Sequence, residues 1–221
     1  MRAHKLNSLI NKGRGKAALK IGLDYKIYRP SGAVDPMTAQ VATIRAAFNN
    51  QDNAYKRPNM PNSPFWNGDF DGRITQVGDY LVARCPPADI KFILSQQSLL
   101  PIVVVDCNTS VRITRSAGHG SVGAGAYGGV CADNSVYVVG GGSGAGSYWP
   151  CSLLLSGGKD GKSELPGGTI NAGYRVMLPA SIPVDIHTAD TLTDDRGNRY
   201  TVQAAEKQDT GWRLNVTEAH V

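Results

Sequence analysis

The chain has no uninterrupted run of eighteen apolar residues, which argues against a membrane-spanning helix, and its first residues lack the apolar core of a secretory signal. A protein made in a cytoplasm and kept out of membranes is expected. Its four cysteines, Cys85, Cys107, Cys131 and Cys151, form no Cys-x-x-Cys pair. A zinc site is therefore unsupported, and a chain this long has no need of a disulfide scaffold, so reduced and mostly buried thiols are expected.

Acidic residues are missing from the start of the chain. Arg2, Lys5, Lys12, Arg14, Lys16 and Lys20 all precede Asp24, the first acid. The other 17 of the 23 Lys and Arg face all 18 acids, so the net charge of +5 is concentrated in an N-terminal arm. From Leu6 to Leu19 the apolar residues Leu6, Leu9, Ile10, Ala17 and Ala18 fall near one helical face. Gly13 and Gly15 weaken a helix there by roughly 1 kcal/mol each, so a short, breakable helix is expected. Such an arm can neutralise nucleic-acid phosphate or lie in an acidic groove of a partner protein, or it can be a solvated helix pinned by Leu6, Leu9 and Ile10.

Catalytic signatures are also wanting. Gly118-His119-Gly120-Ser121-Val122-Gly123 spells a dinucleotide fingerprint, but the residues after it are rich in glycine and break helices, whereas a cofactor site requires a helix. Gly13-Arg14-Gly15-Lys16 lacks the upstream glycine spacing and the Ser or Thr of a phosphate-binding loop. His4, His119, His187 and His220 have no partner four residues away and no clustered carboxylates. No serine stands in a nucleophile elbow. The acid pairs Asp69/Asp71 and Asp194/Asp195 read as turn residues whose carboxylates bond the backbone. No catalytic residue, metal or cofactor is expected.

What the sequence does contain is short strands and turns, with 26 Gly and 12 Pro among its 221 residues. From Gly173 to Val216 alternation marks Tyr174-Val176-Leu178, Val184-Ile186, Tyr200-Val202 and Trp212-Leu214-Val216, a β-meander. Asp194 to Asn198 and Asp209-Thr210-Gly211 carry turn chemistry between its strands. Earlier, Leu23-Tyr25-Ile27, Tyr80 to Val82, Ile90 to Leu94 and Leu99 to Val105, continuing through Val111 and Ile113, read as strands, while Val41 to Phe48 fits a strand or a helix by period and its β-branched residues and β-rich surroundings favour a strand. Asn49 to Asp71, with three prolines, six asparagines and four aromatic residues, reads as a loop that packs on a neighbouring surface. Gly78-Asp79-Tyr80-Leu81-Val82 and Ala189-Asp190-Thr191-Leu192-Thr193 echo one another. The echo is too short to establish a repeat, and suggests that the two β regions form one continuous or paired barrel.

The chain resembles structural proteins of tailed bacteriophages and prophages encoded among the head and tail genes. The resemblance rests on Asn11 to Ala18 with Ile21-Gly22 and Tyr28-Arg29-Pro30, on Gly78 to Val82, on Ser95 to Ile102, and on Leu192-Thr193-Asp194 through Gly211 to Leu214. The C-terminal pattern is similar to the small β-barrels of head–tail joining and tail-completion proteins. What the resemblance implies is a non-enzymatic virion component of the neck or tail, made in the host cytoplasm, that forms a homo-oligomeric ring. Its partners would be the portal, an adaptor or other tail proteins, with packaged double-stranded DNA as a further candidate and no membrane.

The expected fold is mainly β: a small antiparallel barrel or sandwich with a short basic N-terminal helix and a long glycine-rich insertion. Its expected parts are a basic arm at 1–30, a first β region at 31–115, a glycine-rich flap at 116–168, and a meander at 169–221 that completes the barrel. The expected interface residues are Lys12, Arg14, Lys16, Lys20, Tyr55, Phe65, Trp66, Phe70, Tyr148 and Trp149. The alternatives are an adaptor anchoring tail fibres or spikes, a tail-associated cell-wall hydrolase using His119 and His187, and a DNA-binding protein.

Overall fold

A computed structural model describes residues 3–49, 51–52, 57–58, 63–85, 89–97, 100–116, 135–141, 148–156 and 173–219. The chain is mainly β, with one helix at its N-terminus, α1 (Ala3–Ile21). No helix among the described residues is long and apolar enough to cross a membrane.

After α1 come β1 (Leu23–Tyr28), β2 (Gln40–Asn49), a two-residue ladder of β3 (Gln51–Asp52) and β4 (Arg57–Pro58), then β5 (Phe65–Asp69), β6 (Tyr80–Ala83), β7 (Ile90–Ser95) and β8 (Ile102–Asp106). Six of these close an antiparallel barrel in the order β1-β2-β5-β8-β7-β6. Alternation fills it: Tyr25 and Ile27, Ile44 and Ala46, Leu81, Ile93, and Ile102 and Val104 form one buried cluster with Phe70. The stretch expected to be a loop thus contains β5, and its Phe70 helps fill a barrel interior that local composition does not reveal.

The remaining strands are β9 (Thr109–Ser116), β10 (Ser135–Val139), β11 (Trp149–Leu155), β12 (Gly173–Leu178), β13 (Thr191–Asp194), β14 (Arg199–Gln208) and β15 (Gly211–Glu218). They form a seven-stranded sheet in which β13 pairs back onto β9. The circuit β9-β11-β12-β15-β14-β13 therefore closes as well, with β10 and β11 sharing one edge of β9. Both expected C-terminal hairpins form, with Gly197 and Gly211 at positive φ. Two expectations change. Val184 and Ile186 lie in the irregular segment between β12 and β13, where Ile186 is buried, and β12 pairs with β11 and β15 rather than with β13, the next strand in the chain.

The two barrels follow one plan, strand for strand. β1, β2, β5, β6, β7 and β8 correspond to β9, β11, β12, β13, β14 and β15. The pair Tyr28↔Tyr80 matches Thr114↔Thr191, and Trp66↔Val104 matches Tyr174↔Val216. The bulge repeats too: the β7–β8 register shifts between Ile93 and Ser95, and the β14–β15 register between Val202 and Ala204. This is an internal structural repeat, and the expected division at 30, 115 and 168 is not the one the pairings draw. β1 belongs to the first barrel, while β9, β10 and β11 belong to the second.

The barrels share a core. Tyr80, Phe92, Leu94 and Val105 stand opposite in alternation to the residues filling the first barrel, and they join the second barrel's cluster with Trp149, Met177 and Ile182. The Tyr80 hydroxyl donates to the Pro150 carbonyl at 2.8 Å, and Ser181 Oγ donates to the Gly78 carbonyl at 3.0 Å. In the second barrel the positions of Tyr28, Tyr80 and Phe92 are held by Thr114, Thr191 and Thr201. The docking face is apolar where it meets another barrel and hydroxylated at the corresponding positions of the second barrel.

Candidate functional site

The basic arm is a continuous helix through Gly13 and Gly15, longer than its glycines led one to expect. Tertiary contact explains this, because Asn11 and Ala18 are buried and a Cβ on Gly15 would come within 2.9 Å of Asp71 Cβ. The helix ends against the barrel, with Gly22 N donating to the Ala18 carbonyl at 2.7 Å and Arg45 Nη1 to the Leu19 carbonyl at 3.0 Å. Leu6 and Leu9, expected to pin the helix, are 39% and 50% exposed. The face of α1 that meets the barrel at Asp71 and Gly72 instead presents Asn11 and Gly15.

Lys12, Lys16 and Lys20 are exposed and recur every four residues, so they line one outward stripe of α1, while Arg14 is half-buried. None of the four enters an ion pair among the described residues. Lys20 in the last turn also complements the helix dipole. Gly13 to Lys16 lie within this helix, where the backbone amides are already committed, so they form no phosphate loop.

The aromatic positions divide. Phe70 and Trp149 are fully buried, and Trp149 Nε1 donates to the Ala33 carbonyl at 2.9 Å. They are core residues of this chain rather than free anchors for a neighbour. Phe65 packs against the shared core and Trp66 against the interior of the first barrel. Tyr148 stacks on Arg112, whose guanidinium carbon is 5.3 Å from its ring centroid. Tyr55 lies outside the described residues, as do most of the expected flap, the Gly118–Gly123 motif and Cys131.

Three polar constellations were not singled out from sequence. Two are matched clasps. Arg29 Nε and Nη2 each reach an oxygen of Asp79 at 2.8 Å, and Arg115 holds Asp190 in the same fork at 2.7 and 2.8 Å. Each buried carboxylate also accepts from the backbone N–H three residues earlier, Gln76 or His187. Preceding each acid is a residue at positive φ, Gly78 at 89° and Ala189 at 69°. The echo noticed in sequence is this device, but it carries no information about the distant arginine.

The third is Lys91, buried at one end of the first barrel. Its Nζ lies 2.8 Å from Asp89 and 2.7 Å from Asp106, and over the rings of Phe48 and Trp66 at 5.4 and 5.1 Å. Tyr25 donates to Asp89 at 2.7 Å, and burial followed by that bond raises the phenol's pKa. The second barrel places Tyr200 where the first has Lys91. Burial and then the neighbouring Asp194 push the Tyr200 phenol up to about 12.

Cys107 and Cys151 are free thiols whose pKa burial raises, so they are poor nucleophiles, while Cys85 is exposed. Among the described residues no group of three His, Cys, Asp or Glu side chains could hold a metal. The described geometry thus offers binding surfaces: an outward basic helix, and the hydroxylated face of the second barrel. In comparisons with known proteins, no family description, curated protein or solved structure matches the chain.

Proposed function

We propose that this chain is a structural subunit of a tailed-bacteriophage virion, assembling as a ring at the head–tail junction or in the tail. There it connects head to tail and continues or closes the DNA channel. The sequence resemblance suggests the reading, and one structural observation favours it over a purely self-contained fold. α1 holds an exposed stripe of Lys12, Lys16 and Lys20 beside exposed Leu6 and Leu9, on a helix whose own packing face is already used.

A helix surface on which exposed leucines lie among cations suits an acidic protein surface with a shallow apolar groove, such as a portal or adaptor would present. The two fused barrels form a stiff base for that contact, because Tyr80, Phe92 and Trp149 lock them through one core. Ring contacts of this kind are heterologous and large, and require no turnover.

Incorporation into particles tests the proposal. Complementation with Lys12→Glu/Lys16→Glu/Lys20→Glu should give a folded protein that fails to enter virions, while the wild-type chain enters. A wild-type chain that stays monomeric in solution and is absent from particles sinks the reading.

A further inference from the structure

The outer face of the second barrel contains a groove of about 450 Å³ that the virion reading leaves unused. It is lined by Arg112 and Thr114 of β9, Tyr137 of β10, Thr191 and Thr193 of β13 and Arg199 of β14, and no acidic residue lines it. Neither arginine enters an ion pair among the described residues. We propose that this groove binds a phosphate group, with the two guanidiniums and the hydroxyls of Thr191 and Thr193 as its donors; the Thr114 hydroxyl donates to the Thr191 carbonyl at 3.4 Å.

The structural repeat supplies the strongest argument. In the first barrel Thr114, Thr191, Thr193 and Arg199 correspond to Tyr28, Tyr80, Val82 and Ile90. Tyr80 is fully buried there, and Tyr28 and Ile90 pack against the shared core. Freed from that contact, a face needing only solubility would carry mixed charges, as the surface elsewhere does. This one carries hydroxyls and cations of a single sign.

Its geometry is also prepared for an anion. The Arg112 guanidinium carbon lies 5.6 Å from the Tyr137 ring centroid and 5.3 Å from that of Tyr148. Aromatic contact on both rings restrains the side chain before a ligand arrives, which lowers the ordering cost of binding. Guanidinium forks match phosphate oxygens in pairs, and short hydroxyls complete the shell, the same combination that contacts nucleic-acid backbones.

The test is an amide NMR titration of the full chain with inorganic phosphate, with acetate at equal ionic strength, and with a short DNA duplex. Phosphate should shift the Thr114, Thr191 and Thr193 amides saturably, and acetate should not. Arg112→Ala/Arg199→Ala should weaken this binding by at least about tenfold, the loss expected from removing charge-assisted hydrogen bonds. Thr191→Val/Thr193→Val keeps the charge and should also weaken it. Lys12→Ala/Lys16→Ala/Lys20→Ala should leave it intact, which separates the groove from the helix surface of the assembly reading.

If the duplex produces the same shifts and competes with phosphate, the ligand is a nucleic-acid phosphodiester. If only phosphate does, the ligand is a small phosphorylated molecule. No saturable shift with either, shifts shared equally with acetate, or shifts unchanged in Arg112→Ala/Arg199→Ala would overturn the assignment.

Discussion

Replacing Arg29 with methionine isolates the energetics of the clasp. The side chain of Asp79 is 1% exposed, and Arg29 supplies two of its hydrogen bonds at 2.8 Å. Without the guanidinium, the carboxylate keeps the Gln76 N–H at 3.0 Å as its remaining partner in this set and stays buried. Breaking a buried ion pair from one side costs about 3–5 kcal/mol; Arg29 is 35% exposed, so water reaches part of the vacated site and the lower end, about 3 kcal/mol, is expected. Adding Asp79→Asn removes the stranded charge but keeps an acceptor for Gln76, and should recover about 1–2 kcal/mol. Because the second clasp repeats the first, Arg115→Met should cost the same within about 1 kcal/mol.

Urea denaturation followed by tryptophan fluorescence measures these differences. Trp66 reports from the first barrel, and Trp149 and Trp212 from the shared core, so the same experiment shows whether the barrels unfold together. An Arg29→Met variant destabilised by less than about 0.5 kcal/mol, or one that Asp79→Asn fails to relieve, would refute the electrostatic argument.

Other consequences are equally direct. Lys91→Met should change stability by no more than about 1 kcal/mol, because Asp89 and Asp106 are 34% and 42% exposed and can be hydrated. Asp89→Ala/Asp106→Ala, which strands the buried ammonium, should cost about 3 kcal/mol in the same urea assay. Ala189→Gly relieves a left-handed backbone at φ 69° and should stabilise by about 0.5 kcal/mol, visible as a raised thermal midpoint. Gly22→Ala places a Cβ 2.6 Å from the Ala18 carbonyl oxygen and 2.8 Å from that of Ala46, so it should loosen α1 and lower helical circular dichroism. Tyr200 has a folded pKa raised to about 12, so its contribution to stability is complete below pH 10 and is lost as pH rises towards 12. Alkaline unfolding in that window should be less steep in Tyr200→Phe.

Strand alternation and turn chemistry made β1 and the C-terminal hairpins legible in sequence, and apolar or β-branched composition marked β2, β6 and β7. Closure did not follow, since the pairs β1–β6 and β9–β13 join residues far apart in the chain and no local pattern encodes them. The five-residue echo around Asp79 and Asp190 was visible, yet the structural repeat behind it lies in registers and hydrogen bonds that sequence identity does not record. Phe70 and Trp149 looked like interface anchors because their neighbours are polar or rich in glycine. The lumen they fill is assembled from other strands. The basic character of α1 was readable from the six cations that precede Asp24, whereas its packing face was misassigned, because leucine normally packs and here asparagine, glycine and alanine do.

The most direct test of the structural-subunit reading is an image reconstruction of purified tailed-phage particles produced with this chain labelled at its C-terminus. Label density is expected in a symmetric ring at the head–tail junction or along the tail. Purified virions from which the chain is absent would contradict the reading.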